Sequence, residues 1–118
     1  MRVIVCGSRT WAHEDEVYRV LGEFDRTGLT IIQGGARGAD RMAHHWASQN
    51  EVKCEEYPAE WDKHGRSAGP IRNRAMLDLG ADLVIAFRSE GESRGTDDMI
   101  RETKRRKIEL RVISRPNA

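Results

Sequence analysis

The chain has 118 residues, enough for one ordinary domain core and too few for two. Its 20 cationic and 19 acidic side chains leave a formal net charge of +1, which excludes a global electrostatic pull toward nucleic acid or membrane and confines any polyanion binding to a local patch. Sixteen of the 20 cations are arginines, a bias that either suits bidentate recognition of phosphate or carboxylate or reflects a GC-rich genome.

No apolar run is long enough to span a bilayer, and the N-terminus lacks the parts of a signal peptide, so a cytoplasmic protein is expected. Cys6 and Cys54 have no metal or redox spacing and are read as packed thiols in buried strands.

Arg2 to Cys6 is a short apolar run that stops at Gly7-Ser8-Arg9, as a central parallel strand would. Trp11 is read as a cap on the core in preference to a base-stacking ring. Val17, Val20, Leu21 and Phe24 fall at helical spacing behind Glu14, Asp15 and Glu16, acids that the dipole favours in a first turn. This predicts a helix ending before Gly28.

Ile31 and Ile32 then lead into Gly34-Gly35-Ala36-Arg37-Gly38, and Met42, Ala43, Trp46 and Ala47 recur at helical spacing. A glycine-rich turn between a strand and a helix lets backbone approach a ligand, and the helix start offers unpaired N–H groups, so phosphate is the expected guest. Arg37 adds a guanidinium. The loop matches neither the dinucleotide fingerprint nor the P-loop. Asp40 either holds a ribose hydroxyl or caps the helix start.

Val52 and Cys54 alternate with charged residues and predict an outer strand ending near Tyr57-Pro58. Residues 59–69 show no periodicity but contain Trp61, His64 and Arg66, so this stretch is either a ligand-covering loop or a surface meander. Pro70 opens a helix that Gly80 closes, and Arg72 and Arg74, placed in its first turn, hint at an anion nearby. Leu83 to Phe87 predicts the strongest strand, breaking into Gly91-Glu92-Ser93-Arg94-Gly95-Thr96. Met99, Ile100 and Thr103 predict the buried side of the next helix, and Leu110, Val112 and Ile113 a last strand. Seven basic residues between Arg101 and Arg115 read as a solvated helix end.

Strands alternating with helices over short connections imply a doubly wound α/β domain with a parallel sheet, spanning 1–118. Ligands in such sheets sit beyond the carboxyl ends of the strands, where strand order reverses. The turns after three strands all point to that rim. His44-His45 cannot share an ion as an i, i+4 pair would, and neither a metal nor a resident cofactor is expected.

Through Val5 to Arg9, Gly34 to Asp40, Ala59-Glu60-Trp61, Gly69 to Met76 and Gly95-Thr96, the chain resembles the SLOG superfamily of Rossmann-like domains. That superfamily includes LONELY GUY phosphoribohydrolases and DNA-processing protein A. The resemblance is closest to its YspA-like, cpYpsA-related branch. It implies a five-stranded parallel sheet of order 3-2-1-4-5 with helices on both faces, and a site for a nucleotide or nucleotide-derived ligand such as ADP-ribose. The family's phosphate-gripping turn maps onto Gly95-Thr96, its first glycine loop onto Gly34-Gly35, and the catalytic arginine of an Arg-x-x-x-Met segment onto Arg72 with Met76. The phosphoribohydrolases also carry G-G-x-G-T-x-x-E. Here the leading glycine pair is absent and Met99 holds the glutamate position. Relatives that dimerise through helices imply a homo-oligomer. With strand order 3-2-1, Cys6 and Cys54 are too far apart for a disulfide.

The first expectation is therefore a nucleotide-binding or nucleotide-sensing protein. Its ligand residues would be Gly7, Ser8, Arg9, Gly34, Gly35, Ala36, Arg37, Gly38, Asp40, Arg72, Asn73, Ser93, Arg94, Gly95 and Thr96. The alternative is a nucleoside monophosphate phosphoribohydrolase using Arg72, with Asp98 or a residue of 59–69 replacing the missing glutamate. A third reading is nucleic-acid binding through the basic C-terminal cluster.

Overall fold

A computed structural model of the protein describes residues 1–115; residues 116–118 of the expected 1–118 domain lie outside the described residues. Five strands, β1 (Arg2–Gly7), β2 (Thr30–Gln33), β3 (Lys53–Glu56), β4 (Leu83–Ser89) and β5 (Leu110–Arg115), form one sheet of order β3-β2-β1-β4-β5. Every neighbouring pair is parallel, with Val3 beside both Ile31 and Leu83 and Gly7 beside Phe87.

Alternate residues of each central strand feed two separate cores, which is why those strands read as unbroken apolar runs. Val3, Val5, Ile31, Leu83, Ile85 and Phe87 face helices α1 (Glu14–Leu21) and α2 (Ala39–Gln49). Ile4, Cys6, Ile32, Val84 and Ala86 face α4 (Ala68–Asp78) and α5 (Arg94–Arg105). The predicted order and the helices on both faces are thus those of the molecule. Trp11, 2% exposed and tilted at 55° against Phe87, is a core ring.

The chain winds outward from β1 through β2 to β3, then returns across the sheet to β4 and β5 on the other side of β1. That reversal opens a crevice at the carboxyl ends of β1 and β4. Glycines permit the close packing there. A Cβ on Gly7 would lie 2.6 Å from the Phe87 carbonyl oxygen and 2.7 Å from Ala39 Cβ. One on Gly38 (φ 83°) would lie 2.5 Å from the Ser8 carbonyl oxygen.

Several local expectations are corrected. Helix α1 stops at Leu21, and Phe24 packs on the core from beyond it. Residues 59–69 are not a structureless loop: α3 (Trp61–His64) and a 3-10 turn (Gly65–Ser67) lead directly into α4. The Lys63 and His64 amides both donate to the Glu60 carbonyl, which closes this short helix without any buried side chain. Because α4 begins at Ala68, Arg72 and Arg74 stand in its second turn, away from the first-turn amides. Cys54 is half-buried, since β3 is an edge strand, and both thiols are free, with β2 lying between their strands. The basic C-terminal cluster is substantially paired: Arg105 and Arg106 hold the carboxylate of Glu102, and Arg106 also reaches Asp78 at 2.7 Å.

No helix among the described residues is long and apolar enough to cross a membrane.

Candidate functional site

A cavity of about 400 Å³ lies at the carboxyl rim. The end of β1, the turns after β1, β2 and β4 and the helix starts that follow all reach it: Gly7, Arg9 and Thr10 at the first, Gly34, Ala36 and Asp40 at the second, and Glu92 to Thr96 at the third. Helix α4 contributes Gly69, Arg72, Asn73 and Met76, and α3 contributes Trp61. Cys6 lies at the base, where burial pushes its thiol far up from its ordinary pKa and keeps it protonated.

The second turn is held by polar groups converging from three sides. Asp40 Oδ2 accepts the Gly34 and Ala36 amides, each at 3.1 Å, and Gln33 Oε1 accepts the Gly35 amide at 2.6 Å. Arg72 Nη1 donates to the Gly34 carbonyl at 2.9 Å and to the Tyr57 carbonyl at 3.3 Å. Asp40 therefore caps the glycine turn and not its own helix, whose N-cap is Gly38.

Burial pushes the Asp40 carboxyl up to about 6, against the amides of Ala36 and Gly34 and the nearby Arg72 cation, which favour the charged form. Burial also pulls the Arg72 guanidinium below its ordinary value, opposed by Asp40. Arg72 has no carboxylate within ion-pair distance among the described residues. A half-buried cation at a cavity wall, bonded to neutral carbonyls, leaves positive potential facing the cavity.

Arg72 and Asn73 also tie the β2 turn to the start of α5. Arg72 Nε donates to Asn73 Oδ1 at 3.0 Å, and Asn73 Nδ2 donates to the Gly95 carbonyl and to Asp98 Oδ2, both at 3.1 Å. Arg88, at the end of β4, grips Asp97 through two bonds of 2.8 and 3.1 Å and orients the same helix start. The amides of Arg94, Gly95 and Thr96 make no backbone hydrogen bond among the described residues, and the N-cap Ser93 supplies no side-chain cap. A Cβ on Gly95 would meet nothing within 4 Å, so this helix start opens into the cavity.

The remaining residues singled out in the sequence stand outside the cavity wall. Ser8 is buried and its Oγ accepts the Ser89 amide at 3.0 Å, tying β1 to β4. Gly35, with φ 76°, faces Glu56. Gly38 packs on the β1 turn, and Arg37 points out into solvent. Asp98 is 7% exposed, its carboxylate engaged by Asn73 and by Arg101 at 3.3 Å. Met99 is fully buried with Ile4, Cys6 and Met76 in the core that faces α4 and α5.

Thr10 and Glu92 are wall residues outside the expected ligand set; Trp61, also outside it, belongs to the stretch 59–69 that the sequence offers as a ligand-covering loop. Trp61 had a signal: a tryptophan in a polar stretch with no apolar periodicity to bury it. Glu92 sits inside the β4 turn already marked by its glycines, beside Arg94, with which it pairs.

An open parallel sheet with its cavity at the strand-order reversal defines a Rossmann-like α/β protein. Residues 1–64 match the model of the YspA, cpYpsA-related SLOG family (YAcAr). The Gene 61 protein of Mycobacterium phage D29 is 39% identical over 112 residues, covering 88% of this chain and 89% of the phage protein. The chain belongs to the YspA, cpYpsA-related SLOG family. Its fold is similar to that of DNA processing protein A from Streptococcus pneumoniae, with a TM-score of 0.60 at 20% identity. That likeness covers 95% of this chain but 58% of the other, so the chain spans little more than half of that protein.

Proposed function

We propose that this protein binds a phosphate-bearing, nucleotide-derived ligand in the rim cavity. Family membership supports a nucleotide-related role, and the observation that carries the reading is Arg72. Its guanidinium lines the cavity without a carboxylate partner and is joined through Asn73 to the open start of α5. A phosphate between them would accept the free amides of Arg94 to Thr96 and offset the Arg72 charge. The volume, near the low end of the roughly 300–1,000 Å³ usual for small-molecule sites, favours a nucleoside monophosphate over a ligand as long as ADP-ribose.

Turnover has less support. Met99 lies in the core and Asp98 is committed to Asn73, so neither offers an acid or base to the cavity. Nucleic-acid binding finds little support in a basic cluster in which Arg105 and Arg106 already pair with Glu102, and Arg106 also with Asp78. The DNA-processing name of the structural neighbour comes with 20% identity.

Isothermal titration with ribose 5-phosphate, AMP and ADP-ribose tests the reading. Binding of ribose 5-phosphate or AMP, weakened by Arg72→Ala, is expected. Failure of all three to bind at millimolar concentration would overturn it.

A further inference from the structure

The cavity wall contains one aromatic ring that the fold does not use. Trp11 and Trp46 are 2% and 3% exposed and belong to the core, whereas Trp61 is 49% exposed and lines the cavity. It stands on α3, none of whose residues is buried. The ring lies against the start of α4, its Cη2 3.4 Å from where a Cβ on Gly69 would stand, an ordinary van der Waals contact.

Facing the ring is Arg9, from the turn after β1, with its guanidinium carbon 5.7 Å from the ring centroid. This is near the outer limit of about 6 Å for a cation–π contact. Arg9 is exposed and its side chain makes no hydrogen bond or ion pair among the described residues; besides the ring, it lies near enough to Arg72 for like-charge repulsion to lower that guanidinium's pKa. Two planar groups from separate segments thus oppose one another on the wall of the cavity that the Arg72 and α5 cluster also lines.

We infer that Trp61 and Arg9 form a clamp for the nucleobase, the base stacking on the indole and the guanidinium closing over its outer face. The inference rests on the phosphate reading, because a phosphate at the α5 start leaves the base of a mononucleotide directed away from that helix. Aromatic and guanidinium planes stack on any base, and the indole offers more overlap to a purine than to a pyrimidine. Inserting a base requires roughly 7–8 Å between the outer planes, two stacking contacts of about 3.5–4.0 Å. Arg9 must move outward by about 2 Å, and the absence of any polar tether among the described residues leaves it free to do so.

The test combines tryptophan fluorescence with calorimetry on the full chain, using AMP, CMP and ribose 5-phosphate. AMP is expected to quench emission, to bind more tightly than CMP, and to bind more tightly than ribose 5-phosphate. Trp61→Phe should abolish the quench while keeping AMP affinity within about threefold. Trp61→Ala should weaken AMP about 5- to 150-fold, the range of base–aromatic stacking, and leave ribose 5-phosphate unchanged. Arg9→Ala should weaken AMP less. Trp61 is exposed, so unchanged thermal melts will show that these variants fold.

If ribose 5-phosphate binds as well as AMP, or Trp61→Ala spares AMP or weakens both probes equally, the clamp is wrong and the phosphate site stands. If neither probe binds the wild type, both readings fall.

Discussion

Asp40 and Arg72 hold Gly34 by opposite ends of its backbone: Asp40 Oδ2 accepts its amide at 3.1 Å while Arg72 Nη1 donates to its carbonyl at 2.9 Å. No side chain fits between them. A Cβ at this position would lie 2.6 Å from Arg72 Cζ. Gly34→Ala should therefore displace the guanidinium, lowering stability by about 1–3 kcal/mol in a thermal or urea melt and weakening phosphate-ligand binding together with it. A variant with wild-type stability would show that Arg72 is not held as described.

The other glycines separate folding from binding. Gly95→Asp places bulk and negative charge in open space at the α5 start, so the melt should stay within about 0.5 kcal/mol of wild type while AMP binding is lost. Gly35→Asp should instead destabilise the fold, because Gly35 has φ 76° and its Cβ would lie 3.1 Å from the Glu56 carboxylate. Retained AMP binding in Gly95→Asp would remove α5 from the site.

Arg72→Ala should raise the Kd for AMP by about 10- to 150-fold, the worth of a hydrogen bond to a charged group. Arg72→Lys should recover little, because one ammonium cannot reproduce the bonds to Gly34, Tyr57 and Asn73. Full rescue by lysine would reduce the role of Arg72 to a point charge.

Asp40 has a carboxyl pKa raised from 3.8 to about 6 on folding, with burial as the first cause. The native state then holds a proton that the unfolded chain releases. Its contribution to stability is fully present below about pH 3.8 and is lost as pH rises through about 6, an effect of order 3 kcal/mol at most. Asp40→Asn should flatten that segment of the stability profile, measured by urea melts between pH 4 and 7. An unchanged slope would place the Asp40 pKa near its unfolded value.

Release of free base from AMP should be negligible, since Met99 lies in the core and the Asp98 carboxylate is bonded to Asn73. Rapid release at enzyme concentrations far below substrate, abolished by Asp98→Asn, would make Asp98 the acid–base group and establish a hydrolase.

Arg105 and Arg106 hold the Glu102 carboxylate down at about 2, the Arg105 hydrogen bond being the first cause. The folded value lies below the ordinary 4.5, so the stabilisation is present above pH 4.5 and disappears as pH falls toward 2. Arg105→Gln with Arg106→Gln should lower the Tm at pH 7, by less as the pH drops, and should leave AMP affinity unchanged. Loss of oligonucleotide binding without loss of stability would favour the nucleic-acid reading.

Elements were legible in the sequence wherever burial was periodic. Val3 to Cys6 and Leu83 to Phe87 are apolar throughout because both faces of a central parallel strand are covered, and Val17, Val20 and Leu21 mark one helical face. The glycines after β1, β2 and β4 located the rim, since only glycine tolerates the approach seen at Gly7 and Gly38. What the tertiary structure decided is where each polar side chain of those turns points. Arg37 and Arg72 are both arginines near glycines, yet Arg37 faces solvent while Arg72 reaches Gly34 across 38 positions of chain. Trp61 faces the cavity from a helical turn that carries no apolar periodicity. Periodicity records which side of an element is buried; the direction of a side chain in a turn is set by hydrogen bonds and packing to distant segments, which no local pattern encodes.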